Sequence, residues 1–231
     1  MARLTTTSYA ILGVLAIKPR TAYELAAEMR HCFEYFWPRD DKRVYADAGR
    51  LADAGLAESR VQWRGRRRQT TYSITPAGEA ALGAWLSAPP LAVALEFEAL
   101  VKVYLARFAT RDDLLATVRH VEQDAAFMLQ VATMVRGVYL EGCAPFQDEY
   151  VHVWAFVYDF LTDYFALLRD WAARTEKEVE SWEDLAPEGK RERALEVFRR
   201  KHPRAPAVPT GETETVPGAW RRYAEDVARG G

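Results

Sequence analysis

Arg64, Arg66, Arg67 and Arg68 crowd around Gly65, and Arg39, Lys42, Arg43 and Arg50 stand shortly before them. A guanidinium stays charged at physiological pH and presents a rigid fork of N–H donors that matches phosphate or carboxylate. Such a set captures anions rather than catalysing a reaction. Cations strung over two neighbouring elements suit a polyanion with regularly spaced charges. The plainer alternative, a solubilising basic turn, has the same composition. The two readings separate only when the elements that hold the cations are considered.

The remaining reactive side chains form no comparable set. His31, His120, His152 and His202 are scattered, and neither an HExxH pattern nor a Cys/His ligand spacing occurs. His120 is followed by Glu122 and Asp124, but residues two apart on a helix do not face each other, so a solvated face is the better reading. Ser8, Ser59 and Ser73 lack the GxSxG elbow of a nucleophile. Gly65 has no companions for a phosphate loop. Cys32 and Cys143 are too few and too far apart for a disulfide framework or a metal knuckle. The expectation is therefore no enzyme, no cofactor and no metal.

The stretch from Pro38 to Pro76 organises the cations. Val44, Tyr45, Ala48, Leu51 and Ala52 recur at spacings of three and four, which predicts a helix. Asp40 or Asp41 can cap it, and Gly55 closes it where a left-handed residue is needed. Lys42, Arg43 and Arg50 fall mainly off the apolar stripe. Gly49 inside the helix suggests close approach of another element. Leu56, Val61 and Trp63 then predict a strand, and Thr70, Tyr72 and Ile74 alternate with polar residues in a return strand. The arginine cluster is thus a hairpin tip.

Two more helices precede this unit. One is expected within Leu4–Ile17, capped by a hydroxyl between Thr5 and Ser8 and stopped by Lys18-Pro19. The other runs from Thr21 to Cys32 with Thr21 and Glu24 as a capping box. Phe33, Tyr35, Phe36 and Trp37 are expected to pack the second helix on the third. Three helices and a basic hairpin make a winged helix-turn-helix. Its third helix would enter the major groove of double-stranded DNA with Lys42, Arg43 and Asp47 near base edges, and Arg39 and Arg50 on phosphates. The wing arginines 64, 66, 67 and 68 would approach the minor groove or its phosphates. A winged-helix protein-interaction module without DNA binding is the alternative.

Charge is segregated along the chain. Residues 1–86 hold 13 Lys and Arg against 9 Asp and Glu, and the remainder holds 18 against 24, within a formal net charge of -2. Thr75-Pro76 starts a fourth helix, and Ser87 to Pro90 is the expected boundary. The organisation read from this is a DNA-binding domain at 1–88, a helical dimerisation and effector domain at 91–185, and a charged, partly flexible tail at 186–231. In 91–108 the apolar residues Phe97, Leu100, Val101, Tyr104, Leu105 and Phe108 recur at helical spacings. Leu114, Val118, Val121, Ala125, Met128 and Ala132 predict a helix over 111–135, and residues 149–181 predict a third. The apolar surface exceeds what one helical layer hides, so a homodimer is expected. Trp154, Tyr158 and Asp159, at spacings of four and five, could line a site for a small aromatic effector. No run approaches the roughly 18 uninterrupted apolar residues of a membrane span, and no signal segment precedes the first polar run. A cytoplasmic location without membrane contact is expected.

The chain resembles the PadR-type transcriptional regulators. Gly13, Leu15, Tyr23, Glu24 and Leu25 resemble the family's first two helices. Tyr45, Arg50, Leu51, Gly55 and Leu56 resemble its third, and Tyr72, Ser73, Ile74, Thr75, Pro76, Gly78 and Leu82 its exit from the wing. Ala48 stands where many members carry leucine, and Gly49 where a charged residue is common. The resemblance covers residues 4–88, and residues 91–185 fit the longer members in kind. It implies a homodimer on a roughly palindromic operator, usually a repressor, in some members released by a small aromatic compound.

Overall fold

A computed structural model describes residues 4–64, 67–142 and 150–200. These fall into two compact units that meet at Ala92 and Val93. The protein is mainly helical, with its only described sheet in the first unit.

In the first unit, helix α1 (Thr6–Ile17) is capped by Thr5, which accepts from the Ser8 N–H while Ser8 Oγ accepts from the Thr5 N–H. A two-residue strand β1 (Arg20–Thr21) leads into α2 (Ala22–Phe33). There the expected capping box is present, with Glu24 Oε2 taking the Thr21 N–H at 2.8 Å. Helix α3 (Asp41–Asp53) is capped by Asp40, whose carboxylate accepts from the Arg43 N–H at 2.7 Å. Strands β2 (Ala57–Arg64) and β3 (Arg67–Ile74) form an antiparallel hairpin, and α4 (Pro76–Ser87) follows with Thr75 as its cap. Strand order is β1-β3-β2. Strand β1 escaped the sequence pattern because two residues carry no alternation.

The core is built where these elements meet. Ile11, Leu12, Leu15, Leu25, Met29, Val44, Leu51 and Ala57 are buried together, with Tyr72, Ile74 and Leu82 packed against them. Each large aliphatic among them contributes about 1.5–3 kcal/mol by leaving water. The joint between α3 and the hairpin is tight. Gly55 adopts φ 72°, its N–H donates to the Ala52 carbonyl, and the Leu56 N–H donates to Leu51. This is a Schellman closure, and a left-handed residue is needed for it. The Thr75 N–H donates to the Leu56 carbonyl at 3.2 Å, and the Thr75 hydroxyl donates to the Gly55 carbonyl at 2.8 Å. Gly78 lies against the same Leu56 carbonyl, leaving no room for a Cβ.

Several sequence expectations change here. A Cβ on Gly49 would meet nothing within 4 Å, so no close approach explains that glycine. Tyr35 and Phe36 are exposed rather than wedged between α2 and α3. Trp37 instead ties the loop to α1 by donating from Nε1 to Thr7 Oγ1 at 3.1 Å. Tyr45 is exposed, because it lies a quarter turn from the Val44–Leu51 stripe.

The second unit begins with an extended stretch. Residues 89–97 have no regular structure, and the helical periodicity of 91–108 is realised only in α5 (Glu98–Tyr104) and a 3-10 turn at Ala106–Phe108. Pro89 and Pro90 hold the chain extended before it, and no side chain caps α5 at Phe97. Helix α6 (Arg111–Leu140) runs past residue 135 and through Gly137, stopping at Gly142 with φ 72°. Helix α7 (Val151–Glu180) packs antiparallel on it. Arg111 donates to the Val179 and Glu180 carbonyls at 3.2 and 3.0 Å, satisfying the end of α7. Leu114, Leu115, Val118 and Val121 share a core with Ala172 and Val179. Arg119 adds ion pairs to Glu176 and Glu180 at 2.5 and 2.8 Å. Helix α7 has the length and apolar composition to cross a membrane. It also carries Asp159 and Asp163, and its pairing with α6 makes it one half of a helical hairpin. Helix α8 (Arg191–Arg200) closes the described chain, and the remainder of the expected tail, 201–231, lies outside the described residues.

Candidate nucleic-acid interface

Helix α3 presents Lys42 and Arg43 to solvent at its N-terminal end, where the helix dipole already favours an anion. The two acids beside them would oppose this, but both are occupied. Asp40 is spent on the cap. Asp41 is paired with the Arg30 guanidinium of α2, a contact that also raises Arg30 above its ordinary pKa. Arg39 is held in place: its guanidinium lies over the Trp37 ring at 4.3 Å and its Nε donates to Thr7 Oγ1 at 3.3 Å. Such a cation–π contact fixes direction while leaving the charge intact.

Asp47 is the clearest correction. It is fully buried, at 0% exposure, and cannot offer an acceptor to a base edge. It lies three residues after Val44 and four before Leu51, so helical spacing puts it on the buried stripe. Arg50, one turn later and largely exposed, folds back as its ionic partner. Asp47 Oδ2 receives no hydrogen bond from a described residue. The Arg50 guanidinium is thus held by Asp47 at one terminal nitrogen while most of the side chain stays exposed, and Lys42 and Arg43 add the exposed charge at the start of α3.

The wing projects beyond this body. Arg64, Arg67 and Arg68 belong to β2 and β3 by backbone register, with Arg64 opposite Arg67 and Trp63 opposite Arg68. Their side chains, and Arg66 entirely, lie outside the described residues. Sequence reasoning missed two residues that shape the surface. Trp37 anchors Arg39, and Arg20, though buried, is paired with Glu28 at 3.1 Å. The same Glu28 accepts from Cys32, and burial first, then this carboxylate, push the Cys32 thiol up to about 11. It is a protonated, unreactive thiol at neutral pH.

In the second unit, Trp154 and Tyr158 are half-buried, and the Tyr158 hydroxyl donates to the Ala132 carbonyl of α6 at 3.2 Å. Asp159 is exposed. An open apolar trough of about 770 Å³ lies elsewhere, along Leu95, Phe97, Leu100, Val101 and Tyr104. No group of three or more potential metal ligands occurs among the described residues.

Residues 11–84 match the sequence model of the Transcriptional regulator PadR-like family. Bacillus subtilis PadR in complex with operator DNA is similar in fold, with a TM-score of 0.62 at 19% identity over 76% of this chain and 99% of that one. The same protein in complex with p-coumaric acid gives 0.58 at 17%, over 77% and 100%. The Vibrio cholerae virulence activator AphA gives 0.59 at 19%, over 76% and 99%. At these identities the likeness is one of fold. No curated protein matches the chain.

Proposed function

We propose, from the premise that this chain belongs through residues 11–84 to the PadR-like family of transcriptional regulators, that it is a cytoplasmic homodimer that binds a roughly palindromic operator and represses from it. The PadR fold is that of a DNA-binding regulator, and no catalytic constellation is needed for that work. Helix α3 enters the major groove with Lys42 and Arg43 toward base edges, and Arg39 and Arg50 meet phosphates. The wing arginines 64, 66, 67 and 68 flank the site. The observation that carries this reading is the exposed cationic start of α3, with the Asp40 carboxylate engaged in the helix cap and Asp41 paired with Arg30.

The homodimer reading is supported by Phe127, Met134, Phe156 and Phe160, all exposed on α6 and α7. That is more apolar surface than a helical hairpin leaves bare when it works alone. A small planar effector is a further part of the reading. The p-coumaric acid complex of Bacillus subtilis PadR supports it, and Trp154 and Tyr158 are the residues that would take an aromatic ring, with Asp159 at the rim.

Retardation of the protein's own upstream DNA tests the core of the reading. At moderate salt we expect binding to that duplex over a scrambled one, with Lys42→Ala and Arg43→Ala each costing about 1–3 kcal/mol and relaxing sequence preference. Equal affinity for both duplexes would leave a winged-helix protein-interaction module as the better account.

A further inference from the structure

The two faces of the wing differ in kind. The register Ala57↔Ile74, Ser59↔Tyr72, Val61↔Thr70 and Trp63↔Arg68 puts these residues on one face. Glu58, Arg60, Gln62, Gln69 and Thr71 occupy the other. At the wing's root the first face is the core face: Ala57 is buried with Val44 and Leu51 of α3, and Tyr72 and Ile74 pack against the same cluster. Further out the body ends and the apolar residues do not. Val61 is 46% exposed and Trp63 71% exposed. At about 3.3 Å per residue, Trp63 stands roughly 20 Å along the strand from Ala57. A large indole held there, on the same side of the sheet as α3 and followed in sequence by a cluster of arginines, contributes nothing to the core.

We propose that Trp63, with Val61 beside it, is a specificity-determining contact that enters the minor groove flanking the α3 site and favours A·T pairs there. The proposal rests on the DNA-binding reading above and adds a residue to it. The occupant follows from charge and from side. The wing tip is cationic in sequence, so it seeks a polyanion, and the face bearing Trp63 is the one that carries α3. Minor-groove proteins use apolar side chains against sugars and base steps. The indole also brings a single N–H donor and no acceptor. In the minor groove A·T pairs show only acceptors, whereas G·C adds the guanine amino group. A lone donor on an apolar plate therefore fits A·T and meets an unpaired donor at G·C. Arginines on phosphates are indifferent to sequence, and an arginine in the minor groove reads its width, so the part of the preference that depends on the guanine amino group is assigned to the indole.

The experiment uses the full chain and the bound upstream duplex in three versions, with A·T, G·C or inosine·C pairs at the flanks. Inosine·C keeps the G·C major-groove pattern and removes the minor-groove amino group. We expect the wild-type protein to bind the A·T and inosine·C versions about tenfold more tightly than the G·C version. Trp63→Ala should bind all three alike, with the dependence on salt unchanged because no cation is lost. Trp63→Phe should recover affinity but not the preference, since it restores the plate without the donor. Retained flank preference in Trp63→Ala, or a wild-type protein blind to the flanks, overturns the proposal while leaving DNA binding intact. A changed oligomeric state in Trp63→Ala overturns it in favour of a second copy as occupant. Failure of the wild-type protein to bind any duplex overturns the DNA-binding reading itself and this inference with it.

Discussion

Single residues separate into those the backbone demands and those it merely tolerates, and glycine makes the distinction measurable. A Cβ at Gly78 would run into the Leu56 carbonyl oxygen and lie 2.9 Å from Ile74 Cγ1, and backbone has nowhere to retreat. Gly78→Ala should lose about 3 kcal/mol, read from urea unfolding. Gly49 is the opposite case, helical with open space where a Cβ would go. Gly49→Ala should gain up to about 1 kcal/mol by the same measurement, and a loss there would mean a neighbour constrains it after all. The sequence made the caps legible, since Thr21, Glu24, Asp40 and Thr75 announce helix starts by type and spacing alone. It hid Asp47, because a carboxylate on a buried stripe is read by its chemistry before its position.

Elements were legible where one face is buried and obscure where none is. The α1–α3 and hairpin patterns are each tied to a core, so periodicity and fold coincide. Residues 91–95 are apolar yet face solvent in this chain, and an apolar run without a buried side says nothing about helix or extended form. The α6–α7 hairpin lies between these cases. Its seam near Val118, Val121, Ala172 and Val179 should dominate its stability, so Val118→Ala should cost about 2 kcal/mol. Arg119 is solvated, and its ion pairs should matter far less. Their trace is in acid: the hydrogen bond from Arg119 holds the Glu176 carboxyl below its ordinary value of 4.5. A lowered carboxyl stabilises the fold above its unfolded pKa and loses that contribution as pH falls through the folded one. Arg119→Ala should therefore be slightly less stable than wild type at neutrality and lose less stability below about pH 4.5, so that the two converge in acid, which calorimetry across pH can follow.

At the scale of the whole molecule the decisive quantity is uncovered apolar surface. Phe156 and Phe160 are 73% and 66% exposed on α7. Light scattering at low micromolar concentration should return about twice 26.3 kDa. Replacing both with glutamate should return the single mass and weaken operator binding, since one head makes too few phosphate contacts. A native-size dimer in that double variant would move the interface elsewhere. The wing tip remained the least legible part of the first unit, because charge alone does not say which face of a hairpin is used. One last consequence lies in the joint at Leu56. Its carbonyl receives Thr75 and presses on Gly78, while Thr75 also clasps Gly55. The exit of α3, both feet of the wing and the first turn of α4 are thereby fastened at a single point, with no soft hinge between them. A displacement of the near end of α4 is therefore expected to carry the exit of α3 and the feet of the wing with it, as one lever.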